Sequence, residues 1–317
     1  MATTTNITTT YAGEKLQGYI ATALLSANTI EKGGVSVHSN VAYKQVIKQM
    51  ATGSDLIGAG TCDFAPTSSV TLTERYLEPL EFQVNMELCK QDFRSDWEAI
   101  SMGMSAWDNL PPTFESFLVA RGIAQVAEEN ERILWQGLTA NAGEYSGFIE
   151  LLSLDAALPA ANEITGIAIT AANVITELGK IVDAIPDTLY GKEDSAIYIP
   201  QNVYRAYKRS LGGFGLDGLG AAGVNSLGNN QDLKDLQFDG VKLFVANGLP
   251  SNVCIWARSS NLWFGTGLMS DKTSLKVKDM EDTDLSQNVR IAMRWTATAN
   301  YGIVEEIITY GIVNGAN

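Results

Sequence analysis

Short alternating segments punctuated by glycine, proline and asparagine fill the last third of the chain. From Leu236 to Leu268 the residues read LQFDGVKLFVANGLPSNVCIWARSSNLWFGTGL, and from Asn288 to Val313 NVRIAMRWTATANYGIVEEIITYGIV. Period-two alternation bounded by turn residues predicts strands. Upstream, VSVHSNVAYKQVIKQM over 35–50 mixes β-branched and polar residues in near alternation. That favours a half-exposed strand, with a helical second half as the alternative. A glycine-punctuated turn, TGSDLIGAG, follows, and then an extended run from Val70 to Leu88 interrupted at Pro79. Together these predict a long two-stranded excursion over 35–87. It carries too little apolar surface to form a domain and needs something to lie on.

Helical spacing governs the middle of the chain. Leu16, Ile20, Ala23 and Leu24 recur at intervals of three and four, predicting a short amphipathic helix over 12–29 that Gly33 and Gly34 end. The clearest helix follows Asn109, where NLPP places prolines in a first turn whose N–H groups lack partners anyway. Phe114, Phe117, Leu118, Ala124, Ala127 and Leu134 form its apolar face, and Gly137 is its stop. Glu115, Gln125, Glu128, Glu129 and Arg132 lie opposite. The run 111–136 exceeds the usual helix length and reads as a spine. Beyond it come a helix over 171–185 ended by Pro186, the strand SAIYIP and the helix QNVYRAYKRSL. The Thr-rich opening MATTTNITTT is expected to be an arm that orders only against a neighbour. The Gly-rich tract over 211–231 is expected to be a long mobile surface loop.

Composition narrows the function classes. The chain has 317 residues, enough for about two domains or one elaborated one, and a formal net charge of -14. It has no basic run to neutralise phosphates, which disfavours direct nucleic-acid binding. Gly18–Leu25 is apolar but too short for a signal or a membrane span. Cys62, Cys89 and Cys254 are odd in number and lack CxxC spacing, so they read as reduced, mostly buried thiols, with a Cys62–Cys89 bridge as the alternative. His38 is the sole histidine and has no ligand-like neighbour, so neither zinc nor another metal is expected.

Candidate chemistry is sparse. Gly213, Gly215 and Gly218 fit GxGxxG, but a basic helical segment precedes them, more glycine follows, and GK[ST] is missing. Glu128, Glu129 and Glu131 read as a solvated or interfacial helix face partnered by Arg121 and Arg132, not as an acid–base pair. Ser–His–Asp or cysteine chemistry would have to use His38, and no GxSxG accompanies it. No catalytic residue and no cofactor site are expected. Trp97, Trp107, Trp135, Trp256, Trp263 and Trp295 are core anchors or interface residues, which sequence does not separate.

Order and spacing over nearly the whole chain resemble the major capsid proteins of tailed bacteriophages, the Hong Kong phage capsid fold shared with encapsulin shells. LPPTFESFLVARGIAQVAEENERILWQGL over 110–138 looks like the spine helix. AIYIPQNVYRAYKRSL is similar to the strand and helix of the axial domain. DGVKLFVANGLPSN is similar to the family's strand, Gly-Leu-Pro turn and next strand, and NVRIAMRWTATANYGIVE to its closing strand. The resemblance implies an α+β phage major capsid fold: an N-terminal arm (1–30), an extended β-hairpin loop (31–88), the spine helix and peripheral domain (89–170), an axial domain (171–275) and closing peripheral strands (276–317).

It also implies a structural, non-enzymatic role. Copies would assemble as hexamers and pentamers into an icosahedral shell in the host cytoplasm, enclosing DNA without binding it specifically and without a membrane. Portal, scaffold and decoration proteins are the candidate further partners. With no large N-terminal region to act as a fused scaffold, assembly is expected to use a separate scaffold or none. Candidate subunit-interface residues are Tyr11, Lys44, Lys48, Glu128, Arg132, Phe214, Arg290, Arg294 and Trp295. Lys44 and Lys48 lie in the loop where some relatives crosslink Lys to Asn, but with no partner residue identified no crosslink is expected. The alternatives are an encapsulin-like compartment and, from another class, an enzyme with an unrecognised site.

Overall fold

The computed structural model describes residues 28–41, 43–52, 57, 70–89, 112–210, 237–267, 275–280 and 285–315. The expectations for the arm with Tyr11, all but the last two residues of the helix over 12–29, Cys62, Trp97, Trp107 and the Gly-rich tract with Phe214 lie outside these residues.

The apolar run of β6 (Ser195–Ile199) is buried along its whole length, as suits a central strand covered on both faces. It sits in a six-stranded sheet ordered β5 (Glu163–Ile164), β13 (Ile308–Tyr310), β9 (Cys254–Arg258), β6, β8 (Val241–Val245), β7 (Gln237–Phe238). Alternation divides the side chains between two cores. Ile197 and Ile199 of β6 and Cys254 and Trp256 of β9 join Leu178, Ile181, Val203 and Tyr207. These last four come from the helices numbered here α4 (Val174–Asp183) and α5 (Gln201–Ser210). Ala196, Tyr198, Ile255 and Ala257 face the other way, onto Leu134, Trp135, Phe148, Phe264 and Tyr301.

A second, five-stranded sheet is organised by β12 (Asn288–Tyr301). One edge of β12 pairs with β4 (Leu80–Cys89) from Asn288 to Ala297. Its other edge pairs first with β11 (Leu275–Asp279) and then with β10 (Leu262–Thr266), both antiparallel. The short β1 (Ser36–His38) adds in parallel to β10. Helix α2 (Pro112–Gln136) crosses close over β4, since a Cβ on Gly122 would lie 2.9 Å from the Met86 methyl. The expected spine helix and its stop at Gly137 are both observed, the stop because a Cβ there would lie 2.3 Å from the Tyr145 carbonyl oxygen. A last helix, α3 (Phe148–Leu154), buries Phe148 and Leu152.

Two expectations change and one alternative is settled. The excursion over 35–87 is not all hairpin: β1 and β4 belong to the five-stranded sheet, and only β2 (Gln45–Thr52) and β3 (Val70–Leu77) pair as a separate antiparallel ribbon. The reason is that Phe82 and Met86, on one face of β4, find cover there, Phe82 against Tyr145 and Trp295 and Met86 beneath Gly122 of α2. The segment after Lys44 is the strand that its alternation favoured, Gln45–Thr52, and not the helical alternative. Sheet membership also does not follow the boundary expected at residue 275. Strand β10 leaves the six-stranded sheet for the five-stranded one, and β13 returns.

A buried asparagine holds both crossings. Asn261 Oδ1 accepts from the N–H groups of Gly302 (3.1 Å) and Ile303 (2.7 Å), and its Nδ2 donates to the Ile303 carbonyl at 2.7 Å.

Candidate subunit interface

Among the described residues the β2–β3 ribbon is one place where large apolar side chains lie exposed side by side. In its register Val46 faces Tyr76 and Lys48 faces Glu74. Val46 is 46% exposed, Tyr76 50% and Tyr43 77%. Lys44 places its ammonium 3.7 Å over the Tyr76 ring, and Lys48 lies 3.7 Å from Glu74. Both lysines thus flank an aromatic–aliphatic surface. A two-stranded ribbon alone is marginal in water, so it needs support at its base or from a neighbour.

The base support comes from residues that sequence reasoning did not single out. Leu77 is fully buried, and Asn300 Nδ2 donates to the Tyr76 carbonyl at 2.7 Å. Arg75 forms a 2.6 Å ion pair with Asp155 and lies 4.8 Å over the Tyr301 ring, whose hydroxyl donates to the same carboxylate at 2.8 Å. Burial pushes the Asp155 carboxyl up, but Arg75, the Ala157 N–H and Tyr301 outweigh it and hold it below the usual carboxylate range. The contact joins residues 80 apart in sequence, and no local spacing announces it.

The α2 flank divides differently from the expectation. Glu131 is not on a solvated or interfacial face: it is 2% exposed. The close Gly248 turn over this part of the helix covers it, since a Cβ at Gly248 would lie 2.2 Å from the Glu131 carbonyl oxygen. The Glu131 carboxyl accepts from the Thr29 N–H at 3.2 Å and from the Thr29 hydroxyl, which in turn accepts from Trp135 Nε1 at 3.1 Å. Asn28 beside it donates to the Val245 carbonyl. Burial raises the Glu131 pKa, and its hydrogen-bond donors offset this only in part. This cluster fastens α1 (Asn28–Glu31) to α2 and to the end of β8.

Arg132 is engaged within its own subunit. It contacts Glu129 at 2.8 Å and Glu144 at 2.5 Å. The hydrogen bond from Arg132, followed by the Leu138 N–H, holds the Glu144 carboxyl down to about 2. Glu128 borders a cleft shared with Glu129, Gln136, Asn247 and Gly248.

The three candidates on β12 do not act as one set. Arg290 and Arg294 project from the exposed face, Arg290 within 3.3 Å of Glu87. Trp295 turns inward, with its ring centroid 6.1 Å from Phe82, and packs against the core. Trp135 and Trp256 are fully buried.

His38 packs edge-on to Trp263 at 5.9 Å, its Nε2 without a partner, and burial lowers its pKa. Cys89 and Cys254 are free thiols, and burial pushes the Cys254 thiol up, away from nucleophilic use. Among the described residues no cluster of three or more His, Cys, Asp or Glu could hold a metal ion, and no helix is long and apolar enough to cross a membrane.

Sequence comparison finds no matching family profile and no matching curated protein. Structure comparison finds capsids. The chain is similar to the capsid of an empty GTA particle, with TM-score 0.63, 12% identity and 94% of each chain covered. It is similar to the capsid of Myoviridae phage XM1, with TM-score 0.55, 14% identity, and 92% of this chain and 94% of that one covered. The mature capsid of bacteriophage PhiM1 matches with TM-score 0.54 and 12% identity, over 93% of this chain and 90% of that one. The α+β fold expected from the sequence is the observed one: this chain has the fold of phage capsid proteins.

Proposed function

We propose that the chain is a major capsid protein whose copies self-assemble into the icosahedral head shell of a tailed phage, enclosing DNA without specific binding. The observation that carries this reading is the β2–β3 ribbon: locked to the body by Arg75 and Leu77, it leaves Tyr43, Val46 and Tyr76 largely exposed on its surface, with Lys44 over the Tyr76 ring. In this reading the ribbon is the extended loop and lies on a neighbouring copy, with Lys44 and Lys48 at its edge.

The five-stranded sheet and α2 form the peripheral plate, and the six-stranded sheet with α4 and α5 forms the axial domain. The segment before Asn28, with Tyr11, reaches a neighbour, and the Gly-rich tract with Phe214 meets its counterparts around symmetry axes. The work is association, not catalysis. Contacts between unlike patches close only at the right rotation, so plate geometry sets shell size. Several neighbours hold each copy, so individual contacts can be modest. Hexamers and pentamers of the chain are its first partners, and portal, scaffold and decoration proteins join it in the virion.

Size-exclusion chromatography and negative-stain microscopy of the purified chain test this. Capsomers or shells are expected. A stable monomer or dimer under all conditions would sink it.

A further inference from the structure

The outward face of the five-stranded sheet carries a charge pattern that the linear sequence does not display. Alternation along β12 buries Ile291 and Met293 and leaves Arg290 and Arg294 exposed. Lys278 stands opposite Arg290 and Lys276 opposite Ala292, while Glu87, Asn85, Gln83 and Glu81 line the β4 side. Residues two apart on a strand are separated by about 7 Å and adjacent strands by about 5 Å, so the four cations form one patch. Arg290 engages Glu87, whereas among the described residues no carboxylate pairs with Lys276, Lys278 or Arg294. These rungs carry no large apolar side chain, so the face has charge and hydrogen bonding to offer but little apolar area. It is net positive on a chain whose formal charge is -14.

We infer that this face docks electrostatically onto the acidic flank of α2 in a second copy, where Glu128 and Glu129 border the cleft beside Gly248 and, among the described residues, the carboxylates of Glu128, Glu129 and Glu144 outnumber the one cation there, Arg132. Acidic copies repel one another, and bringing unlike patches together offsets that repulsion where subunits meet. The two surfaces cannot meet within one subunit, because α2 packs on the inward side of the sheet, with Gly122 over Met86. The contact is therefore heterologous and propagates from copy to copy. Being solvent-exposed, it weakens with salt.

This inference rests on the shell reading, and the test separates the two. Four proteins are compared for the concentration at which shells form, by light scattering and microscopy across a sodium chloride series. They are the natural chain, Lys276→Glu with Arg294→Glu, Glu128→Lys with Glu129→Lys, and all four changes together. Each double variant is expected to melt like the natural chain and to need about tenfold more protein to assemble. The quadruple variant, with its charges exchanged, is expected to recover most of the loss. Double variants that assemble normally would overturn the inference, as would a quadruple variant no better than the doubles. Normal assembly combined with lost nucleic-acid retention by the sheet-face variant would assign the face to phosphate instead. A natural chain that never assembles overturns the shell reading and this inference with it.

Discussion

Replacing Arg75 by methionine keeps the aliphatic stem and removes the charge that locks the ribbon to the body. The lost contacts are a 2.6 Å ion pair, with Arg75 and Asp155 side chains 30% and 16% exposed, and a cation over the Tyr301 ring at 4.8 Å. A charge-assisted bond contributes about 1.5–3 kcal/mol, and partial exposure places this one near the lower end. The ring contact adds about 0.5 kcal/mol. A loss of about 2 kcal/mol corresponds to about thirtyfold more frequent opening of the ribbon base.

Leu77 and the Asn300 bond remain, so the ribbon loosens while the two cores persist. Hydrogen exchange on unassembled subunits reads this directly. At neutral pH the amides of β2 and β3 should exchange about thirtyfold faster in R75M, while those of β6 stay unchanged. The Asp155 pKa is depressed, so the contribution is present above the ordinary carboxylate range and lost as pH falls through the lowered value. The natural chain should therefore approach the variant in acid. Unchanged exchange in β2 and β3 would refute the anchor, and equal acceleration in β6 would show that Arg75 supports the whole fold instead.

Four further outcomes are expected. Asn261→Ala leaves the part-buried Ile303 N–H without its acceptor, while the Gly302 N–H keeps the Asn261 backbone carbonyl, and should cost about 1–3 kcal/mol in denaturant melts; no measurable loss would mean water replaces the amide. Glu131 has a raised pKa, so its stabilising contribution is full below the ordinary glutamate value and lost as pH rises through the folded one. Glu131→Gln should flatten that decline with rising pH, and an unchanged pH profile would count against it. Gly248→Ala forces a Cβ against the Glu131 carbonyl and should destabilise by about 1–3 kcal/mol, seen as a lowered melting temperature; a neutral result would show that the turn can retreat. Removing residues 1–27, which spares Asn28 and Thr29, should leave subunits folded but poor at assembly, and undiminished shell yield would remove the role given to the arm.

Periodicity alone determined the long helix, the strands of the closing third, the buried SAIYI strand and its following helix. Each is decided within a window of a few residues by which side chains share a face. Order and spacing extended this to the capsid fold. Only the tertiary structure decided which strands pair, because pairing rewards contacts across hundreds of residues. It took β1 and β4 out of the expected excursion, sent β10 and β13 to opposite sheets, and turned Trp295 inward while Arg294, its neighbour, stayed outside. Glu131 shows the limit most plainly. Its charge and its acidic neighbours suggest a solvated or interfacial face, although its spacing from Ala127 and Leu134 places it on the apolar one; a glycine turn 117 residues further on closes over it, and Thr29 supplies the donors that make burial of a carboxyl tolerable. The basic patch has the same origin: Lys278, Arg290 and Glu87 meet through register, which acts between strands and leaves no mark on any one of them.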